Sequence, residues 1–131
     1  MNDHQNKAVY IRQVDMAALA GTPDSERASV RLIDRDSGGA TAQISYIRTP
    51  PGGGSPRGIH THEVDQHFYI ISGTMQFNVD GDEFEGGPGS LVYFPAKVPH
   101  QNWNAGTEPT VHLAINTPLP PEGKPLGTVA S

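Results

Sequence analysis

Cysteine is absent from the 131-residue sequence. Disulfides, thiolate metal sites and cysteine nucleophiles are excluded together, and redox chemistry says nothing about compartment. Basic residues are few: Lys and Arg total 9 against 14 Asp and Glu, for a formal net charge of −5. They form no cluster, so the electrostatic footprint of nucleic-acid binding or of an anionic membrane surface is lacking. No apolar run reaches the length of a signal-peptide core or a membrane span, and residues 1–7 are polar. A soluble, cytoplasmic protein without nucleic-acid or membrane partners is the expectation. Helical pattern is scarce as well. Only residues 15–20 (DMAALA) read as a helix, with Asp15 as its cap and Gly21 as its stop.

Turn chemistry is abundant instead. Fifteen Gly and twelve Pro accompany only 18 % charged residues, a composition that suits short strands joined by tight turns. Strands are expected at residues 9–14, 28–34, 41–48, 66–72, 74–79, 90–94 and 110–116, with an extended segment at 58–62. Asp80-Gly81 is a strong hairpin turn. Residues 49–57 (TPPGGGSPR) form a loop, because Pro lacks a ladder donor and Gly lacks a side chain to pack. No linker and no repeat divides the chain. A single domain over 1–131 is expected, with a core barrel at about 28–116, an N-terminal strand segment at 8–14 and a Pro-rich tail draped over 117–131. At this length roughly 60 % or more of the extended surface is buried, enough for a core without a structural metal. The fold class is all-β, a sandwich or jelly-roll barrel.

The chemistry lies in the histidines. His60 and His62 stand at i and i+2, which puts both side chains on one face of a strand. Their Cα atoms are then about 6–7 Å apart. Two imidazoles so spaced can converge on one ion at distances near ~2.1 Å. Gln66 follows after the short turn Glu63-Val64-Asp65 and can fold back an amide oxygen. His100 comes after Pro95 and Pro99 and can close the site from a neighbouring strand. His67 competes with Gln66: it faces the opposite side of a regular strand, but a bulge would exchange the two. His4 sits in the polar N-terminal stretch and is assigned no role.

These residues carry a resemblance to the cupin superfamily. Its first motif, G-x5-H-x-H-x3,4-E-x6-G, aligns with Gly54-SPRGI-His60-Thr61-His62-EVD-Gln66-HFYIIS-Gly73. Its second, G-x5-P-x-G-x2-H-x3-N, aligns with Gly89-SLVYF-Pro95-Ala96-Lys97-Val98-Pro99-His100-QNW-Asn104. The resemblance implies a single-domain double-stranded β-helix, a jelly-roll cupin barrel. It further implies one divalent transition metal ion (Fe, Mn, Ni, Zn or Cu) on His60, His62, Gln66 and His100. The count back from Gly73 selects Gln66 over His67. There are two departures, Gln66 where the motif has Glu and Lys97 where it has Gly. Cupins with Gln at that position still bind metal. Three imidazoles and one amide are a neutral donor set, which leaves the ion its full charge and favours an anionic ligand.

Alternation from Gln66 and His100 puts Phe68, Ile70, Asn102 and Asn104 on the same face as the ligands. Tyr46 and Trp103 are candidate substrate contacts, because each ring carries a polar handle. His112 is a candidate pocket residue in the last strand. Arg48 and Arg57 lie near the loop into the metal strand, where either can meet a carboxylate or remain solvated. The resemblance implies an enzyme for a small oxygenated substrate, an enolate or carboxylate, with a dioxygenase foremost. The alternatives are a non-redox isomerase, lyase or cyclase, and a small-molecule-binding module without turnover. A homodimer is the expected assembly, since pairing would cover unpartnered strand edges.

Overall fold

The computed structural model describes residues 10–38, 41–54 and 59–119, together with the backbone of 127–129. Among the described residues a short helix, α1 (Met16–Ala20), precedes ten strands. These are β1 (Ala28–Ile33), β2 (Gln43–Thr49), β3 (His60–His62), β4 (Asp65–Ser72), β5 (Met75–Val79), β6 (Asp82–Gly86), β7 (Leu91–Phe94), β8 (His100–Trp103), β9 (Thr110–Thr117) and β10 (Gly127–Val129). They form two five-stranded antiparallel sheets, ordered β1-β2-β9-β4-β7 and β10-β3-β8-β5-β6.

Alternation explains which residues fill the space between the sheets. Gln66, Phe68 and Ile70 are buried along β4, and Thr110, His112, Ala114 and Asn116 along β9, each row being every second residue. The apolar core joins Ile47, Phe68, Ile70, Val92, Phe94 and Ala114 of the first sheet to Met75 and Phe77 of the second. Phe77 bridges the layers, its ring centroid 6.3 Å from that of Phe68 and 5.9 Å from that of Phe94.

Two motif glycines have plain steric reasons. A Cβ on Gly54 would sit 2.1 Å from the carbonyl oxygen of Asn102, because the loop backbone bridges to Trp103 there. Gly73 turns β4 into β5 at φ +79, and a Cβ there would come within 2.9 Å of the carbonyl of Pro109. The Asp80-Gly81 turn has positive φ at both residues, 52 and 91, as a type I′ hairpin requires.

Four elements differ from the sequence reading. Of the expected first strand, residues 8 and 9 lie outside the described set, and residues 10–14 form no strand. Tyr10 and Ile11 are both largely exposed, so the segment has no buried face to set a ladder. It is tied instead through Arg12, which donates to the carbonyl of Leu32 at 3.1 Å. Strand β6, the second arm of the Asp80-Gly81 hairpin, was given no range in the sequence reading. It is an edge strand exposed at four of its five residues, where charge guards against pairing with other chains. His100 to Trp103 form strand β8, the neighbouring strand expected to carry His100 but given no range from the sequence. The tail does more than drape: Gly127–Val129 adds an antiparallel strand beside β3. His4, Arg57 and residues 120–126 lie outside the described residues. The expected helix is present, with the Asp15 carboxylate accepting from the Ala18 amide at 3.0 Å.

Candidate metal centre

Two strands bring the three histidines together. β3 presents His60 and His62 on one face, and His60 pairs with His100 of β8. One ligand atom from each of the three lies within 4.8 Å of the others. The ring centroids are 4.8 Å apart for His60 and His62, 4.4 Å for His60 and His100, and 4.9 Å for His62 and His100. Among the described residues no carboxylate joins this cluster.

His100 is fixed more firmly than its neighbours. It is buried, stacks on Phe94 at 4.2 Å, and its Nδ1 lies 3.0 Å from the carbonyl oxygen of Val98. A carbonyl only accepts, so Nδ1 carries the proton and Nε2 the lone pair. Nε2 faces Oε1 of Gln66 at 3.2 Å. Two acceptors opposed at that distance repel unless a cation lies between them, so the donor arrangement fits a metal. His62 Nδ1 adds a second sign, being buried without a hydrogen-bond partner. Burial, with the adjacent imidazoles, pushes His62 down to about 4. Burial does the same for His100, also to about 4, against the Val98 carbonyl, which favours the charged form. Both are therefore neutral at physiological pH, as metal ligation needs.

The Gln66 and His67 alternatives separate cleanly. Gln66 points inward from β4 and is buried. His67 points outward and stacks on Tyr93 of β7 at 5.2 Å. No bulge exchanges them, since the β4 register with β7 runs regularly through both residues.

Phe68, Ile70 and Asn102 lie on the inner face as expected, and His112, whose side the sequence left open, is buried there too. Phe68 and Ile70 belong to the apolar core. Asn102 donates to Sδ of Met75 at 3.3 Å. Asn104 is occupied structurally, donating to the carbonyls of Thr49 and Glu108 and accepting from the Gly106 amide. Tyr46 and Trp103 require correction as pocket residues. Tyr46 sits one residue off the buried row Ser45, Ile47, Thr49 and opposes Val30 and Leu113 on the outer face. Trp103 is one residue off the row His100, Asn102 and so faces away from the histidines. Arg48 meets the exposed carboxylate of Asp24 at 3.9 Å. It donates to the carbonyls of Leu19, Thr22 and Pro23 and anchors the segment that follows α1. Asn116 escaped the sequence reading. It is level with Gln66, buried, and its Oδ1 lacks a partner. Its parity with His112 along β9 is the signal that would have found it.

Two antiparallel five-stranded sheets define a jelly-roll barrel, with a three-histidine cluster that could hold a metal ion. A family model described as "Cupin domain" matches residues 45–116, and the chain belongs to the cupin family. An uncharacterized protein of Methanocaldococcus jannaschii is 32 % identical over 66 residues, which is 50 % of this chain. The chain spans about half that relative's length, 53 %. A cupin family protein with a double-stranded β-helix fold, from the same organism, superposes with a TM-score of 0.66 at 20 % identity, covering 82 % of this chain and 89 % of that one. A sugar phosphate isomerase of the cupin superfamily from Silicibacter pomeroyi gives a TM-score of 0.61 at 29 % identity, over 72 % of this chain and 60 % of that one. No helix among the described residues is long and apolar enough to cross a membrane.

Proposed function

We propose that the chain is a metal-dependent enzyme that takes a small oxygenated anion, an enolate or carboxylate, onto a divalent transition metal held by His60, His62, His100 and Gln66. The observation that carries this reading is the convergence of three imidazole donors within 4.8 Å with no carboxylate among them. When bound, an ion of this class supplies either redox chemistry with dioxygen, as in a dioxygenase, or Lewis-acid polarisation of an enolate or carboxylate. The chain's residues set the conditions for both. Their uncharged donors neutralise none of the ion's charge, so the anionic substrate does so. Val98 holds the His100 proton on Nδ1 and aims Nε2 at the site. Phe94, packed flat on His100, keeps water from that side of the ring.

The dioxygenase is the reading expected from the sequence. The Lewis-acid reading is favoured by one observation, the 29 % identity to a sugar phosphate isomerase of the same superfamily. Elemental analysis of protein purified without added metal, followed by oxygen-electrode assays with enolisable diketones and hydroxy acids, tests both. Stoichiometric iron with substrate-dependent oxygen uptake selects the dioxygenase. A redox-inert metal with substrate turnover and no oxygen uptake selects the isomerase class. Binding without turnover under either metal selects the non-catalytic module. Protein that takes up no metal at all overturns the proposal.

A further inference from the structure

The strand that carries two of the three histidines is only three residues long, and its backbone partners are unevenly divided. On one side β3 has a single residue pair with β8, His60 with His100, and one bond from the Lys97 amide to the His62 carbonyl at 2.7 Å. On the other side β10 runs along all of it: Gly127 opposes His62, Thr128 opposes Thr61, and Val129 opposes His60. Without β10, β3 would be a three-residue edge strand of the kind that frays first in local opening. The apolar core would not hold it, since no core residue among the described residues belongs to β3.

Metal binding depends on both imidazoles facing inward at once. That orientation is a property of extended backbone, in which residues 60 and 62 share a face. A ladder that fixes the backbone of β3 therefore fixes the donor set. We infer that the C-terminal strand β10 is a positioning element of the metal centre, and that its docking and metal binding are thermodynamically coupled. The inference rests on the metal reading given above. Linkage makes the coupling reciprocal: docked β10 tightens metal binding, and bound metal holds β10 against β3 by the same factor.

The test uses the full-length protein with zinc as the metal and a chromophoric chelator as competitor. Thr128→Pro removes a backbone donor in the middle of β10 and fixes φ where the ladder must pass. Its zinc affinity is expected to fall by about 5–150-fold, the usual span of such coupling. Thr128→Val keeps the backbone and is expected to retain wild-type affinity. The melting temperature of the metal-free protein should change little in both, because the core is untouched. In wild-type protein, hydrogen exchange at the Thr61 and Thr128 amides, which face each other across the ladder, should slow by a similar factor on adding zinc. Equal zinc affinity in wild type and Thr128→Pro overturns the inference. So does exchange at those amides that ignores zinc, a measurement that decides the matter even if the proline variant fails to fold. Wild-type protein that binds no zinc, iron or manganese fails at an earlier step and overturns the metal reading itself.

Discussion

Nε2 of His100 and Oε1 of Gln66 face each other across 3.2 Å, while His100 Nδ1 is already engaged by the Val98 carbonyl. Two lone pairs so opposed would suit one cation between them, which supports the proposed role of Gln66 as fourth ligand. Gln66→Glu is therefore expected to keep the metal and bind it more tightly, since a carboxylate adds one negative charge beside the ion. An anionic substrate should bind more weakly for the same reason, and a metal-bound water should become less acidic. His67→Ala should retain the metal fully, because His67 stacks outward on Tyr93. Metal content and substrate affinity, measured side by side in the two variants, check this. Metal loss in His67→Ala with no effect of Gln66→Glu would move the ligand by one residue.

Removing a histidine should separate binding from folding. His62 lies on β3, outside the apolar core. His62→Ala is expected to weaken metal binding by more than about 100-fold, beyond the usual effect of losing a supporting hydrogen bond around a metal site. Its metal-free melting temperature should stay close to that of the wild type. Circular dichroism and elemental analysis read both quantities. Global unfolding of the variant would instead make the metal structural.

Lys97 occupies the position where the second cupin motif has glycine, and its φ of 68 is left-handed. A side chain in that region costs about 1–2 kcal/mol, while glycine elsewhere forfeits about 0.5–1 kcal/mol of chain entropy. The first effect exceeds the second, so Lys97→Gly is expected to stabilise the protein slightly and raise the melting temperature by a few degrees. The Lys97 amide that bonds the His62 carbonyl is preserved in the variant. A lowered melting temperature would show that the lysine side chain contributes more than its backbone strain removes.

The three-histidine cluster was legible because it is encoded by spacing: i and i+2 on a strand, then a second gapped motif. The inward row of β4 was legible because alternation is strict there, whereas that of β9 was not, since its buried row is Thr110, His112, Ala114 and Asn116 and its more apolar alternates Val111, Leu113 and Ile115 are less buried. Tyr46 was misplaced because β2 is apolar on both faces, with Ile44 and Tyr46 on one and Ile47 on the other, so hydrophobicity alone leaves its parity open. Trp103 could have been placed, since His100 and Asn102 inward force it outward. The range of strand β6 was hidden by its acidic residues. The pairing of β10 with β3 joins positions more than sixty residues apart and leaves no local trace, so the element that most fully pairs the metal strand was the least readable.

His112 offers the clearest test of how burial shapes the acid behaviour of this barrel. It is 2 % exposed, its ring lies 4.2 Å from Phe68, and neither ring nitrogen has a partner. Burial pushes it down to about 4, and the positive charge of Arg27 adds to the effect. In the unfolded chain a histidine titrates near ~6.5. Between these values the unfolded state binds more protons than the folded one, so stability is full above about pH 7 and falls as pH drops from about 6.5 toward 4. His62 and His100, also near 4, act in the same direction in the metal-free protein. Melting temperatures taken in chelator should accordingly decline through this window and level off above it. His112→Leu removes one proton-binding site and two unpartnered nitrogens while leaving an apolar group in an apolar setting. It should be neutral or mildly stabilising at pH 7.5. It should exceed wild-type stability increasingly as pH falls, by an amount approaching about 3 kcal/mol at pH 4. Parallel pH profiles for variant and wild type would mean that His112 does not resist protonation in the folded state. A variant that is less stable at every pH would mean that the imidazole makes contacts a leucine cannot replace.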